Sequence, residues 1–308
     1  MKILIIGYSS IVERKVLPAL TNIEKITEIE IASLSKESIS GITKIYNDYN
    51  LALSNSDAEL VYISLPNSFH YEYLEKSIKH NKNVIVDKPL LINFEEYNEI
   101  KNLLENSSSF IFESNVFTFH NGWKKFRNIS LKNSNNGTLF ANFSIPSLPA
   151  ENFRNKQNMG GGAFNDMGPY ASSVGLKFWN QTVKDLYINK TCEKNIITSF
   201  SIIAKYGDGK NFIGNFSFNK NYKNYVAFKT HDSFTCLTPA FSSPDSVNMK
   251  ILQINGDDSI ITNIKKDDTF KNFIEESINI IQKNQLSKSR EKLYTPINEF
   301  FTFKQLLK

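Results

Sequence analysis

The first third of the chain alternates short apolar segments with segments of helical periodicity. The apolar segments are KILII (2–6), EIEIAS (28–33), DAELVYISLP (57–66), NVIVDKP (83–89) and FIFESNV (110–116). Nearly continuous apolar strands that alternate with helices are typical of a parallel sheet covered on both faces. Residues 1–120 are therefore predicted to form a doubly wound α/β domain.

The pattern changes after about residue 120. Segments of strand character follow one another with turn residues between them: GTLFANFSI (137–145), NIITSFSIIAKY (195–206), NFIGNFSF (211–218) and YVAFKTHD (225–232). GDG at 207–209 lies between two of these segments and indicates a hairpin. Few helices are expected, one after the glycine run at 160–162 and one over 268–283. Residues 121–308 are predicted to form an α+β domain with a large, mostly antiparallel sheet.

Charge, apolar run length and cysteine usage narrow the range of partners. The net charge of +5 comes from lysines scattered along 308 residues without a basic run, so nucleic acid is not an expected partner. No segment contains the ~20 apolar residues that span a bilayer, and membrane association is not expected. Cys192 and Cys236 lie far apart without a CxxC pair. This predicts a cytoplasmic protein with neither a disulfide nor a metal site.

The first apolar segment runs directly into GYSSIV at 7–12. Gly7 permits a tight turn, and a helix that starts here offers backbone N–H groups to a phosphate. Ser9 and Val12 occupy the other two glycine positions of the G-x-G-x-x-G fingerprint, although a serine is small and can donate a hydroxyl proton. An ordinary strand–helix turn is the alternative. The candidate phosphate-loop residues are Gly7, Ser9, Ser10 and Ile11.

The second strand ends in IASLSK at 31–36. A domain that binds NAD usually has Asp or Glu here for the ribose 2′-hydroxyl. This chain has Ser33, Ser35 and Lys36, and hydroxyls with an ammonium would hold the 2′-phosphate that a carboxylate would repel. NADP is therefore the expected cofactor and NAD the second choice. The alternative is that Lys36 is an ordinary surface lysine.

Two further groups follow the ends of the next strands. LPNSFH at 65–70 is expected to edge the nicotinamide side of a cofactor crevice, and its histidine is either a ligand contact or a locally packed residue. Its candidate cofactor contacts are Leu65, Pro66, Asn67 and His70. Asp87, Lys88 and Pro89 end the following strand, where Lys88 is expected to polarise a carbonyl or steady an alkoxide.

The segment GGGAFNDMGPY at 160–170 contributes a second set of chemical groups. Its three glycines allow backbone to pass close to a ligand. Asp166 and Tyr170 are four residues apart and would share one face of a helix. A tyrosine near a lysine can donate a proton while a carboxylate orients the pair. The alternative is a glycine-rich turn capped by Asp166, with Tyr170 in the core.

The ordered set GYSSIV, LPNSFH, DKP, ENFR and GGGAFNDMGPY resembles the Gfo/Idh/MocA oxidoreductase family over essentially the whole chain. The resemblance implies a Rossmann domain over 1–120 that binds NAD(P). It implies a substrate-binding domain over 121–308 whose open sheet makes the contacts of a homodimer or homotetramer. Two departures are the lost glycines of the first loop and an aspartate where the family has glutamate before the lysine of its E-K-P motif.

The resemblance also implies roles for individual residues. Lys88 matches the lysine of E-K-P, while Asp166 and Tyr170 match the family's aspartate and its acid/base residue. A tyrosine at this position resembles the glucose–fructose oxidoreductase and sugar-ketoreductase branches. LTPAFSSPDS at 237–246 is similar to a loop of nucleotide-sugar 3-ketoreductases.

Substrate-binding residues are indicated more weakly. Arg154 in ENFR could hold a phosphate or a sugar hydroxyl, and Asn115 and His120 end the last strand of the first domain. Structural roles are equally open for all three. Together with Asp166 and Tyr170, Asn115 and Arg154 complete the candidate substrate site.

These observations predict an NADP-dependent oxidoreductase that transfers a hydride between the nicotinamide and a keto or hydroxyl carbon of a sugar or nucleotide-sugar. The expected catalytic residues are Lys88, Tyr170 and Asp166, brought to one nicotinamide ring by folding. The same fold acting on a cyclitol, diol or imine is an alternative. A non-catalytic nucleotide-binding regulatory or assembly protein is another.

Overall fold

The computed structural model describes residues 1–42, 44–132, 134–242 and 248–307. Backbone contacts divide the chain into two compact units. Unit 1 comprises Met1–Asn115 and Phe270–Tyr294, and unit 2 comprises Val116–Thr269 and Thr295–Lys308. The assignment of cofactor and substrate binding to residues 1–120 and 121–308 stays a prediction.

Unit 1 contains a six-stranded parallel sheet of order β3-β2-β1-β4-β5-β6. Its strands are β1 (Lys2–Ile6), β2 (Glu28–Ala32), β3 (Lys44–Tyr46), β4 (Leu60–Ile63), β5 (Asn83–Asp87) and β6 (Ile111–Ser114). The central strand β1 pairs Ile3 with Ile29 on one side and with Leu60 on the other. The order is that of the doubly wound Rossmann fold, which reverses direction between β1 and β4. The predicted fold of the first part of the chain is confirmed.

Helices follow most of these strands. A wide helical turn at Val12–Val16 leads into α1 (Leu17–Thr21), followed along the chain by α2 (Tyr49–Asn55), α3 (His70–Lys79) and α4 (Phe94–Glu105). Asp48 caps α2 by accepting from the N–H of Leu51, and Asn93 caps α4 in the same way. The helices expected after the first, fourth and fifth strands are present. The short β3 and α2 were not predicted.

Unit 2 contains an eight-stranded sheet of order β14-β13-β12-β11-β7-β10-β9-β8. The strands are β7 (Gly137–Ser144), β8 (Asp185–Glu193), β9 (Ile196–Gly207), β10 (Lys210–Ser217), β11 (Lys223–Lys229), β12 (Ser233–Thr238), β13 (Lys250–Asn255) and β14 (Asp258–Asn263). The pair β7–β10 is parallel and the other pairs are antiparallel. Both the mostly antiparallel sheet and the hairpin at 207–209 are confirmed.

The remaining helices are α5 (Asn121–Leu131), α6 (Ala163–Trp179), α7 (Thr269–Gln282) and α8 (Leu286–Gln305). The expected α6 and α7 are present, whereas α5 and α8 were not predicted. Helix α6 packs on β7, β9 and β10, where the ring of Phe164 lies 5.0 Å from that of Phe200. One face of the sheet in unit 2 is therefore covered by helix. No helix in the described part of the chain is both long and apolar enough to cross a membrane.

Candidate active site

The turn after β1 requires a glycine. Gly7 has φ +92°, and a Cβ there would lie 2.4 Å from the carbonyl oxygen of Ser64. The N–H of Gly7 donates to the carbonyl of Ala32 at 3.0 Å. The turn therefore passes directly against the end of β4. This is the close backbone approach that the first glycine of a dinucleotide-binding turn provides.

Val12 stands where the fingerprint has its third glycine, which serves close packing of helix against strand. The side chain is fully buried. The helix here is wider than an α-helix, because the N–H of Leu17 bonds to the carbonyl of Val12, five residues earlier. Wide turns of this kind are rare and often occur at functional sites. The widened turn accompanies the bulkier residue, and the helix still follows the Gly7 turn.

The loop after β2 is shaped by Ser33. This side chain is 2% exposed, and its Oγ accepts from the N–H of Lys36 at 3.1 Å and of Ser35 at 3.4 Å. The hydroxyl of Ser33 thus binds its own loop, while Ser35 and Lys36 are exposed. Of the three residues expected at the 2′-phosphate, Ser35 and Lys36 have the accessible side chains.

Strands β4 and β5 end in a set of hydroxyls around Asp87. Its Oδ2 accepts from Ser64 Oγ at 2.5 Å, and its Oδ1 accepts from Tyr62 Oη at 2.7 Å. Lys88, the next residue, is half-buried and forms a cis peptide bond with Pro89. The sequence did not indicate Tyr62 and Ser64, although polar residues at the end of an apolar strand were a usable signal.

His70 joins two backbone segments. The ring is fully buried, with Nδ1 2.8 Å from the carbonyl oxygen of Pro89 and Nε2 2.9 Å from that of Leu65. Burial lowers the pKa of His70, although both carbonyls and nearby Asp87 favour the charged ring. A neutral imidazole donates through one nitrogen only, so one of the two contacts lacks a proton. The locally packed role describes these contacts, and direct cofactor contact by His70 stays a prediction.

The adjoining LPN residues differ in exposure. Leu65 and Pro66 are half-buried, and Asn67 is 7% exposed. Asn67 begins a short helical turn, Asn67–Phe69, that leads into α3. Their contact with a nicotinamide stays a prediction.

In unit 2, the glycine run is fitted closely to the segment before it. A Cβ on Gly161 would lie 2.5 Å from the carbonyl oxygen of Arg154. Gly162 has φ +104° and donates its N–H to that same carbonyl at 2.8 Å. Asn165 Nδ2 donates to the carbonyls of Gly160 and Gly161, and Asn165 Oδ1 accepts from Lys304 Nζ at 2.9 Å. The sequence gave no indication of Asn165 or Lys304.

Helix α6 carries both predicted chemical groups of this unit. Asp166 and Tyr170 lie one turn apart on it, as the spacing predicted. Arg154 Nε lies 3.0 Å from Asp166 Oδ1, and the Arg154 guanidinium also lies 4.6 Å from the centre of the Phe153 ring. Arg154, expected at the substrate, therefore pairs with the residue expected to orient it.

The Tyr170 ring packs among aromatic side chains. Its centroid lies 5.3 Å from that of Phe241, 5.7 Å from Phe143 and 5.8 Å from Phe117. The residue is nevertheless only half-buried. Core packing thus fixes the ring and leaves part of the side chain accessible, which suits a positioned proton donor.

His120 has a defined tautomer. Its Nδ1 accepts from the N–H of Gly122 at 2.8 Å, so the proton of the neutral ring is on Nε2. Burial lowers the pKa of His120. Asn115 is half-buried and follows β6. A pocket role for either residue stays a prediction, and residues 243–247 of the segment compared with a ketoreductase loop lie outside the described residues.

The described residues include no group of histidine, cysteine, aspartate and glutamate side chains that could hold a metal ion. The strand order and the glycine turn of unit 1 define a Rossmann domain of the dinucleotide-binding class. Residues 1–114 match the family model GFO_IDH_MocA, described as an oxidoreductase family with an NAD-binding Rossmann fold. This part of the chain belongs to that family, and the resemblance predicted from the motifs is confirmed.

Curated relatives have related sugar chemistry in their names. A dTDP-3,4-didehydro-2,6-dideoxy-alpha-D-glucose 3-reductase of Saccharopolyspora spinosa is 25% identical over 58% of this chain and 56% of its own length. A D-xylose 1-dehydrogenase (NADP(+)) of Haloferax volcanii is 26% identical over 77% of this chain and 76% of its own. The chain spans about half the length of several of the curated relatives that it matches.

Solved structures extend the likeness to both units. A 3-ketoreductase from Actinomadura kijaniata, in complex with NADP and TDP-benzene, has a TM-score of 0.85 at 18% identity. The match covers 97% of this chain and 94% of that one. An aldose-aldose oxidoreductase from Caulobacter crescentus, complexed with glycerol, has a TM-score of 0.84 at 12% identity, covering 100% and 96% of the two chains. At such identities the likeness establishes the fold.

Proposed function

We propose that the protein is an NADP-dependent oxidoreductase that reduces a keto group on a sugar, with a nucleotide-linked keto sugar as the preferred substrate class. The observation that carries the proposal is the Gly7 turn, where a Cβ would lie 2.4 Å from the backbone of the neighbouring strand. A turn this close belongs to backbone that receives a pyrophosphate. The Lys88, Asp166 and Tyr170 set supplies the groups that carbonyl reduction needs.

NADPH, when bound, supplies a hydride to the carbonyl carbon. Lys88 polarises the carbonyl and stabilises the negative charge that develops on its oxygen. Tyr170, held by its aromatic neighbours, delivers the proton to that oxygen. Asp166, paired with Arg154, accepts from sugar hydroxyls or orients the tyrosine. Arg154 and Asn115 are the proposed further substrate contacts.

The cofactor choice rests on the loop after β2. Ser33 ends the strand where an NAD-binding domain usually has a carboxylate. Ser35 and Lys36 are exposed on the same loop and are the proposed ligands of the 2′-phosphate. Ser9, Ser10 and Ile11 supply backbone N–H groups at the start of the helix. Leu65, Pro66 and Asn67 are the proposed nicotinamide contacts.

The names of similar proteins support the substrate class. The relatives include a 3-reductase of a dTDP-linked didehydro sugar and an NADP-dependent sugar dehydrogenase. Solved variants of the Actinomadura kijaniata 3-ketoreductase replace one lysine and one tyrosine, the residue types to which catalysis is assigned here. The nucleotide of a dTDP-linked sugar gives such substrates a second binding handle.

The proposal includes a homo-oligomer formed through the sheet of unit 2. A single apolar row crosses all eight strands on the face away from α6. Its members are cross-strand neighbours, in the order Tyr187, Ile203, Ile213, Phe140, Ala227, Cys236, Leu252 and Ile261. Tyr187 is 64% exposed, Ile203 57% and Ile261 64%. With strands about 4.8 Å apart, the row is roughly 34 Å long.

Polar rows flank the apolar row. One contains Asn189, Ser201, Asn215 and Asn142, and the other contains Asp185, Lys205, Asn211 and Thr138. A straight apolar row between polar rows is self-complementary under a two-fold axis. Two such sheets packed face to face would bury both rows. A second copy of this chain is the proposed occupant. A cytoplasmic location stays a prediction.

The activity test is consumption of NADPH with a panel of nucleotide-linked and free keto sugars. The D-xylose dehydrogenase relative favours a second candidate, oxidation of a free aldose, and NADP+ reduction with aldoses tests it. Turnover with aldoses alone would select this second candidate. No turnover with either panel would contradict both.

A further inference from the structure

A chain of hydrogen bonds links the first loop of unit 1 to the end of β5. The N–H of Val12 lies 3.2 Å from Ser9 Oγ, and Ser9 Oγ lies 2.8 Å from Ser64 Oγ. Ser64 Oγ donates to Asp87 Oδ2 at 2.5 Å. We call Ser9, Ser64 and Asp87 the serine–aspartate chain. It joins a residue of the candidate phosphate loop to the neighbour of Lys88.

The direction of every proton in this chain follows from counting donors. An ionised carboxylate only accepts, so Ser64 uses its one hydroxyl proton on Asp87. Ser9 must therefore donate in its bond to Ser64. The remaining acceptor capacity of Ser9 Oγ receives the N–H of Val12. All three donors point towards Asp87.

A second arm reaches Asp87 from the other side. Tyr62 Oη lies 2.7 Å from Asp87 Oδ1 and 3.1 Å from Ser114 Oγ. Tyr62 has one proton and gives it to the carboxylate, so Ser114 is the donor to Tyr62. Asp87 is thus the common acceptor for side chains that follow or end β1, β4 and β6.

We infer that Asp87 is a positioning residue that fixes the phosphate loop through Ser64 and Ser9 and sets the end of β5 from which Lys88 extends. The inference rests on the proposed function for its consequence, since it makes cofactor affinity depend on a carboxylate that need not touch the cofactor. It also changes one expectation. The proton of Ser9 is engaged by Ser64, so backbone N–H groups bind the phosphate and the Ser9 hydroxyl does not donate to it.

The first test removes the middle of the chain. Ser64→Ala should weaken NADP+ binding about tenfold by calorimetry, the effect of losing one hydrogen bond to a charged group. The matched control is Ser77→Ala, because Ser77 is also a fully buried serine of unit 1 whose hydroxyl bonds only to the carbonyl of Tyr73. Its affinity should stay within twofold. Equal affinities in the two variants would overturn the inference.

Asp87→Asn tests the end of the chain, since an amide presents a donor where the carboxylate accepts. Affinity should again fall about tenfold or more, and the double variant with Ser64→Ala should bind no worse than Asp87→Asn alone, because both changes break one chain. Additive losses would mean that Asp87 acts independently of Ser64, contrary to the inference.

A readout without nucleotide separates this inference from the proposed function. Hydrogen exchange of the segment 8–16 should become faster in Ser64→Ala and stay unchanged in Ser77→Ala, since the Val12 amide bonds to Ser9. If the parent protein fails to bind NADP+, the proposed function fails, while exchange still decides the inference. Unchanged exchange in Ser64→Ala would overturn it.

Discussion

Arg154 and Asp166 form an ion pair, with Nε of the arginine 3.0 Å from Oδ1 of the aspartate. The Asp166 side chain is 14% exposed and that of Arg154 is 32% exposed. The aspartate is therefore held in place before any substrate arrives, by a residue adjoining the glycine run. Arg154 can influence chemistry through Asp166 as well as by contact with a substrate.

Arg154→Ala should lower kcat/KM for the keto sugar about tenfold, because it leaves a largely buried carboxylate without its partner. Asp166→Asn should have an effect of similar size. Since the two residues act as a pair, the double variant should lose less than the product of the single losses. Lys156→Ala, which removes an exposed cation two residues away, is the control. Fully multiplicative losses would show that the residues act separately.

Lys36→Ala should weaken NADP+ binding about tenfold and leave NAD+ binding within twofold, because only NADP carries the 2′-phosphate that the ammonium would contact. Calorimetric titration with both nucleotides measures this. Lys79→Ala, an exposed lysine of α3, should change neither affinity. Equal weakening for NADP+ and NAD+ would contradict the proposed role of this loop.

Glu299→Gln should change how stability depends on pH. Burial raises the pKa of Glu299 to about 7. The side chain is 4% exposed and accepts from the N–H of Val183 at 2.8 Å, and the Tyr206 phenol faces it at a geometry short of a well-formed hydrogen bond. The folded protein holds this proton more tightly than the unfolded chain, whose carboxyl has the ordinary value of 4.5.

The contribution of Glu299 to the free energy of unfolding is thus complete below pH 4.5 and is lost as pH rises to about 7. Urea unfolding at several pH values should show the glutamine variant gaining stability relative to the parent over this range. The expected gain is on the order of 2–3 kcal/mol. A difference between the two proteins that does not vary with pH would be the contrary result.

Ile203→Glu should dissociate the proposed oligomer, because it places a charge in the centre of an interface row. Sedimentation equilibrium should show a smaller species than the parent at the same concentration. Leu51→Glu is the control, since Leu51 is 55% exposed, close to the 57% of Ile203, and lies in unit 1. A monomeric parent, or an oligomer unaffected by Ile203→Glu, would contradict the sheet interface.

Much of the fold was predictable because its strongest signals are local. The strands of unit 1 other than β3 are apolar runs, and the strands β9 and β10 flank a clear turn. The missed elements lack such signals. Strand β3 has three residues, and α8 contains Pro296, which in sequence suggests an interruption of a helix.

The candidate site was predictable only in part. Residues at strand ends, such as Lys88, can be located once the strands are known. The hydrogen bonds that hold them depend on the register of the folded sheet and join residues far apart in sequence, as Ser64 and Asp87 are separated by 23 positions and Asn165 and Lys304 by 139. No local pattern indicates such pairs.

The central claim is that Lys88 and Tyr170 serve hydride transfer from NADPH to a sugar carbonyl. The most direct measurement follows deuterium from C4-deuterated NADPH into a dTDP-linked 3-keto sugar by NMR. The parent protein should place deuterium on the former carbonyl carbon, and Lys88→Met and Tyr170→Phe should each slow this at least a hundredfold, whereas Lys79→Met and Tyr225→Phe should not. Unlabelled product from the parent, or full transfer in both catalytic variants, would contradict the account.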